Sequence, residues 1–226
     1  MTRKAQLVCT ARKRGRILLV DDHPLVRERL AEIINREADL IVTGEAEDRN
    51  QALEAILAKP PDLAIVDLTL KHSDGLDLIK DVHARWPRMR MLVVSMHDES
   101  LYAERAIRAG AMGYITKQEA TRNILLAIRR VLSGNIYLSR KIADRILTRL
   151  AHSADPVATT PVELLADREL QVFELTGRGL STYDIASQLS VAVKTVETYR
   201  ARIKEKLKIT DGSKLLQFAI AWSRSE

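Results

Sequence analysis

Along the first half of the chain, short apolar runs alternate with longer segments whose apolar positions recur every three or four residues. The runs are RILLV (16–20), LIVTG (40–44), LAIVD (63–67), MLVVS (91–95) and GYIT (113–116). Runs of this kind suit strands buried on both faces, and the helical periods between them suit the crossovers of a parallel sheet. After the first run, Pro24 stands where a first helical turn begins, with Leu25, Val26, Leu30, Ile33 and Ile34 on one face. Asp98 is placed to cap a helix running through Tyr102 and Ile107, and Gly110 lies where a left-handed stop belongs. The pattern predicts an α/β fold, a doubly wound five-stranded parallel sheet whose βα units finish near Gly134.

The second half keeps only the helical period. A helix is expected from about Ser139 to Leu150, and then AHSADPVATTP (151–161), with its small residues and two prolines, reads as a linker. DRELQVFELTGRG (167–179) sets Leu170, Phe173 and Glu174 or Leu175 at helical spacing. STYDIASQLS (181–190) opens on Ser181 with Asp184 three residues on, a capping-box arrangement. KTVETYRARIKEKL (194–207) aligns Val196, Tyr199, Ile203 and Leu207, and leaves Lys194, Thr198, Ala201 and Glu205 on the opposite side. Two short helices, a tight turn and a helix with a mostly cationic outer face describe a helix-turn-helix in a small all-α domain. A last helix over about 212–224 carries Leu215, Leu216, Ala219, Ile220 and Trp222. The chain thus divides into a basic disordered tail (1–15), an α/β domain (16–134), a linker helix and linker (135–161) and a helical domain (162–226).

Composition changes this picture little. With 226 residues, 46% of them hydrophobic, the chain can bury two cores. Its one cysteine, Cys9, excludes an intrachain disulfide and any cysteine-based zinc or redox motif, and a reducing, cytoplasmic compartment fits. No apolar run approaches the roughly 18 residues of a membrane span, so no membrane association is expected. The formal net charge of +6 resides entirely in the first 16 residues. Local placement is the better signal: Lys194, Arg200, Arg202, Lys204, Lys206 and Lys208 face only Glu197 and Glu205 between 191 and 208.

In a parallel sheet, ligands gather at the carboxyl ends of the strands. Asp21 and Asp22 follow the first strand, Asp67 closes the third, Ser95 closes the fourth and Lys117 follows the fifth, all at that edge. Adjacent carboxylates raise one another's pKa unless a cation sits among them. Mg²⁺ suits oxygen ligands and phosphoryl oxygens, with Asp21, Asp22, Asp67 and the backbone carbonyl near Thr69 as its site. With Lys117 beside it, a phosphoryl group would be charge-neutralised while the Asp67 carboxylate attacks in line. His23, His72 and His97 have no zinc spacing and read as solvated or hydrogen-bonded loop residues.

LLVDDHPLVRERL, AIVDLTLKHSDGL, LVVSMHDE and AGAMGYITK together resemble the receiver domain of two-component response regulators over roughly 16–133. LLADREL, LSTYDIASQL and SVAVKTVETYRARIKEKLKI resemble the DNA-binding domain of NarL/FixJ-type (LuxR-like) transcription factors over 162–226. The first resemblance implies a flavodoxin-like fold, a phospho-acceptor at Asp67, acidic Mg²⁺ ligands at Asp21 and Asp22, a switch hydroxyl at Ser95, a phosphate-binding Lys117 and a switch aromatic at Tyr114. It also implies a sensor histidine kinase as partner. The second implies Thr195, Glu197, Thr198 and Ala201 near bases in the major groove of double-stranded DNA. Lys194, Arg200, Arg202 and Lys204 would then meet phosphates, with a homodimer on paired half-sites forming when the receiver is phosphorylated. The expected control is an equilibrium between an occluded arrangement, with the receiver shielding the recognition helix, and an open dimer, which phosphorylation shifts.

The sequence departs from both resemblances in places. Lys71 and Gln118 stand where receivers often have proline, and Ala166 and Ala192 where the helical domain often has capping Thr and Ser. Frayed helix starts are expected at the last two. Two other readings compete with the regulator: an aspartyl-phosphate phosphatase dependent on Mg²⁺, and a DNA binder with a relict receiver. A phosphatase of that type wants a second acid two residues after its nucleophile, where this chain has Thr69.

Overall fold

Strands form where the apolar runs lie. The structure, a computed structural model, describes residues 14–151 and 160–224; the basic tail and most of the expected linker fall outside the described residues. In chain order the elements are β1 (Gly15–Val20), α1 (Pro24–Asn35), β2 (Leu40–Ala46), α2 (Arg49–Ala58), β3 (Leu63–Val66), β4 (Thr69–Leu70), β5 (Ser73–Asp74) and α3 (Gly75–Arg85). There follow β6 (Arg90–Ser95), α4 (Glu99–Ala109), β7 (Gly113–Thr116), α5 (Lys117–Leu132) and α6 (Arg140–Ala151). A 3-10 turn at Pro161–Leu164 leads into α7 (Asp167–Gly177), α8 (Thr182–Gln188), α9 (Val193–Leu207) and α10 (Gly212–Arg224).

The five long strands are all parallel, in the order β2-β1-β3-β6-β7. Because successive side chains point to opposite faces, each strand feeds two cores. Ile17, Leu19, Ile65, Leu92 and Val94 pack with Ile34, Ile124 and Ile128 of α1 and α5. Leu18, Val20, Val66 and Val93 pack with Ile56, Ile79 and Tyr102 of α2, α3 and α4. Each fully buried aliphatic side chain contributes about 1.5–3 kcal/mol. Pro24 begins α1 and Gly110 ends α4 in the left-handed region, as the sequence indicates. Leu25 corrects the expected stripe: it is 79% exposed, because it sits about 100° around the helix from the line of Val26, Leu30 and Ile34 that meets the sheet. The two-residue hairpin of β4 and β5 has no apolar run and was not foreseen.

The second core is continuous with the face carrying α3 and α4. Leu170, Phe173, Ile185, Val196, Ile203, Leu215 and Ala219 fill it. Gly177 lets α10 approach: a Cβ there would stand 2.6 Å from the Ala219 carbonyl oxygen. Ser181 and Asp184 form the expected capping box of α8, the Asp184 N–H donating to Ser181 Oγ at 3.2 Å. No helix of the described residues is long and apolar enough to cross a membrane.

Candidate functional site

Helix starts and strand ends share one edge of the sheet, and acids collect there for two separate reasons. Asp48, Asp74 and Asp98 accept backbone N–H groups of α2, α3 and α4 and are caps. Asp21 and Asp67 follow β1 and β3 and are buried, at 4% and 3% exposure, without capping a helix. The chain can turn so tightly behind Asp67 because residue 75 is glycine; a Cβ there would stand 2.0 Å from the Asp67 carbonyl oxygen.

Lys117, the first residue of α5, bridges the two acids, its Nζ donating at 2.7 Å to Asp67 Oδ2 and lying 2.7 Å from Asp21 Oδ2. Burial raises the Asp67 pKa, and the Lys117 charge opposes that rise. Burial alone would lower the Lys117 pKa, but the Asp67 and Asp21 carboxylates outweigh it and hold the ammonium above its ordinary value. The remaining oxygen, Asp67 Oδ1, is buried and has no hydrogen-bond partner, as is Asp22 Oδ1, which His23 Nδ1 approaches at 2.6 Å outside hydrogen-bonding geometry. One ligand atom from each of Asp21, Asp22, His23 and Asp67 lies within 4.8 Å of the others, a set that one cation could share. His23 thus stands closer to the acids than a merely solvated histidine, although its side chain is 61% exposed.

Ser95 ends β6 fully buried, and the His97 N–H points at its Oγ at 3.5 Å. Tyr114 is turned inward, its phenol donating to the His97 carbonyl at 2.8 Å, and burial first, then the Asp67 charge, pushes its pKa well up. The Thr69 hydroxyl is 3.1 Å from His97 Nε2. Asp21, Asp22, Asp67, Ser95 and Lys117 therefore converge, with Thr69 at the rim. Lys71 faces away, paired with Glu47 at 3.0 Å.

A wall of the pocket comes from the helical domain. A cavity of about 480 Å³ has Asp67, Thr69 and Lys117 on one side and Arg168, Gln171, Glu174 and Arg178 on the other. Around it α7 is bonded to the α/β domain throughout. Gln171 Nε2 donates to buried Asp74 at 2.8 Å, Arg168 to Asp77 at 3.1 Å, and the Tyr102 hydroxyl to Glu174 at 3.0 Å. Arg105 reaches Asp167 at 2.8 Å and the carbonyls of Glu163 and Leu165, while Lys80 holds the other Asp167 oxygen at 2.7 Å. His72 Nδ1 lies 2.9 Å from Ser190 Oγ in the turn before α9. The sequence reading missed all of these residues. The available signal was α7 itself, whose polar Glu169, Gln171 and Glu174 are as buried as its apolar face.

On α9 the inner stripe is as expected, Val196 and Ile203 being fully buried. Lys194, Glu197, Thr198, Ala201 and Arg202 are exposed, and Thr195 and Lys204 are half-buried. Arg200 is drawn away from that face by the Thr182 hydroxyl, to which its Nη1 donates at 2.9 Å. In this arrangement the α/β domain docks on α7 and on the turn at Ser190, and leaves the outer face of α9 open. The reason is chemical, since α7 offers the hydrogen-bonding partners that Asp74, Tyr102 and Arg105 require.

Comparison with known proteins covers both parts. The family described as response regulator receiver domain matches residues 17–129, and the family described as bacterial regulatory proteins, luxR family, matches residues 163–219. The oxygen regulatory protein NreC of Staphylococcus haemolyticus is 31% identical over 209 residues, covering 91% of this chain and 96% of its own. The transcriptional activator protein ExaE of Pseudomonas putida is 33% identical, with 90% and 95% covered. Among solved structures, a LuxR-family two-component response regulator from Aurantimonas sp. SI85-9A1 is 34% identical with a TM-score of 0.57, covering 62% of this chain and 100% of its own. RcsB of Salmonella enterica serovar Typhimurium, bound to promoter rprA in the presence of a phosphomimetic, has a TM-score of 0.64. That likeness covers 92% of this chain and 98% of RcsB at 21% identity, and it is a likeness of fold.

Proposed function

Because the chain belongs to the two-component response regulators that join a receiver domain to a LuxR-family DNA-binding domain, we propose that Asp67 is its phospho-acceptor and a sensor histidine kinase its donor. The observation that carries this reading is the buried Asp67 carboxylate with one oxygen on Lys117 and the other without a partner. Asp67 attacks phosphorus as the phosphoramidate N–P bond of the kinase histidine breaks, giving an acyl phosphate on the aspartate and a neutral imidazole. Lys117 steadies the phosphoryl oxygens, and the buried Ser95 hydroxyl is close enough to be recruited by one of them.

The orphaned oxygens of Asp22 and Asp67, with Asp21 beside them, fit a hard divalent cation, and Mg²⁺ held by Asp21, Asp22, Asp67 and the Thr69 carbonyl is the assignment. When bound, Mg²⁺ supplies charge neutralisation for the phosphoryl group. Lys117 offsets part of the acid charge at the same place.

The output is transcription control through α9. Thr195, Glu197, Thr198 and Ala201 would meet base edges in the major groove, and Lys194, Arg202 and Lys204 the phosphates; Arg200, bonded to Thr182, positions α8 against α9 instead. A homodimer on paired half-sites and a cytoplasmic location complete the proposal. Intact mass after incubation with a small phosphodonor and Mg²⁺ tests it. Gain of one phosphoryl group, lost in Asp67→Asn, is expected; continuous release of phosphate would make the chain a phosphatase, and no gain would make its receiver a relict.

A further inference from the structure

One residue of the loop between β6 and α4 touches Thr69, Ser95, Tyr114 and α7 together. The His97 ring places Nε2 3.1 Å from Thr69 Oγ1 across the acid pocket and Nδ1 3.1 Å from the Glu174 carboxylate of α7. The Nε2 contact with the Thr69 hydroxyl is a hydrogen bond, while the Nδ1 contact with Glu174 is an ion-pair approach outside hydrogen-bonding geometry. The backbone of the same residue contacts Ser95 Oγ through its N–H and takes the Tyr114 phenol on its carbonyl. The ring also packs 4.5 Å from that of Tyr102, whose hydroxyl donates to Glu174. Both partners of the His97–Glu174 contact are almost completely enclosed, with side chains 12% and 11% exposed.

We propose that His97 is the positioning residue through which the state of Asp67 sets whether the DNA-binding domain stays docked: it serves Glu174 only while the Ser95 loop keeps its present place. The inference rests on Asp67 being the phospho-acceptor and names how that site is coupled to the second domain. Two effects of phosphorylation act on the contact. Recruitment of Ser95 to a phosphoryl oxygen pulls residues 96–98 toward the pocket, and a shift of about 1 Å takes the 3.1 Å contact between His97 and Glu174 out of close ion-pair range. Converting the Asp67 carboxylate to an acyl phosphate also adds about one negative charge, partly offset by Lys117 and a bound cation, to a cavity that Glu174 lines. Arg168 and Arg178 line it as well, but Arg168 is engaged by Asp77 and Arg178 stands on the exposed rim, where water and salt weaken its pull. Tyr114 is already turned inward beneath the docked domain, so its rotamer is not what releases α7.

Hydrogen exchange of the full chain, read by mass spectrometry over α7 and residues 96–98, tests this in wild type, His97→Ala, Glu174→Ala and Ser95→Ala. Before any treatment, the first two substitutions should each speed exchange of α7 about tenfold, since one removes the enclosed ring set between Glu174 and Tyr102 and the other the carboxylate that Tyr102 holds. Exchange over α9 and α10 should stay as in wild type, which separates undocking from unfolding. Phosphoramidate with Mg²⁺ should speed α7 exchange in wild type. Ser95→Ala, carrying the same phosphoryl group by mass, should keep α7 protected. Wild-type-like protection in both His97→Ala and Glu174→Ala, or release of α7 in phosphorylated Ser95→Ala, overturns the proposal. If wild type gains no phosphoryl group, it is the phospho-acceptor reading that falls, while the untreated His97 and Glu174 variants still decide the docking role.

Discussion

Two helices of the same small domain, α7 and α9, dispose of their polar side chains in opposite ways. On α7, Asp167, Arg168, Gln171 and Glu174 are each bonded to the receiver. On α9, Lys194, Arg202 and Lys204 have no ion-pair partner among the described residues, and the helix turns them outward. A buried polar group is costly unless paired, whereas an exposed one costs little unpaired. The difference therefore separates a surface already satisfied within the chain from one still available to another molecule. Docking and the proposed DNA-recognition face occupy different sides of one domain, so the docked arrangement leaves that face uncovered.

The sharpest way to break that comparison is to remove what α7 and α9 share. Ile203 is fully buried between them, and Ile203→Ala should cost about 2–5 kcal/mol of domain stability. Thermal unfolding should show the helical domain melting early, with DNA binding and docking lost together. Retention of either function alone would mean that the two faces do not depend on one fold.

Arg105→Ala acts on the docked side only. It removes the guanidinium that holds Asp167 and two carbonyls before α7, at a cost of about 2 kcal/mol in docking. Small-angle scattering should show a larger radius of gyration, while affinity for double-stranded DNA holds or rises. The sign of the acid response follows from the same pair. Burial would raise the Asp167 pKa, but Lys80 and Arg105 more than reverse this, so its contribution to docking is present above the ordinary carboxylate range and fades as pH falls through the lowered value.

Lys194→Ala and Arg202→Ala should act on the other side only. Each should lower the salt dependence of DNA binding by about one phosphate contact, and leave stability within about 0.5 kcal/mol. Isothermal binding to random-sequence duplex at several salt concentrations measures the slope. An unchanged slope would mean that these cations do not meet phosphates.

The same contrast explains what the sequence could disclose. The parallel sheet, the polar groups at its strand ends and the acids Asp21, Asp22 and Asp67 were legible because each depends on a local pattern repeated at one edge. The recognition helix was legible because its stripe, Val196 to Leu207, meets only its own domain. The pairing of Asp74 with Gln171 was not, since it joins residues 97 positions apart through a docking geometry that no local period encodes. Leu25 was misplaced for a smaller reason, helix phase, and the bond from Arg200 to the Thr182 hydroxyl is a tertiary contact that the period of α9 does not encode.

The smallest effect lies at the two helix starts that lack a capping oxygen. Ala166 precedes α7 and Ala192 precedes α9, and neither side chain can accept a hydrogen bond. They are not equivalent. At α7, Glu169 reaches back to the Ala166 N–H at 2.8 Å, and Asp167 adds a second negative charge to the first turn. At α9 the first turn carries no acid, the Thr195 and Val196 N–H groups have only the Ala192 carbonyl, and no charge offsets the positive end of the helix. Serine at position 192 can accept from the Thr195 N–H and should add about 1 kcal/mol, whereas serine at 166 enters a turn already half satisfied and should add about half as much. Denaturant midpoints of Ala192→Ser and Ala166→Ser measured side by side would show the difference, and equal gains would mean that Glu169 does not substitute for the missing cap.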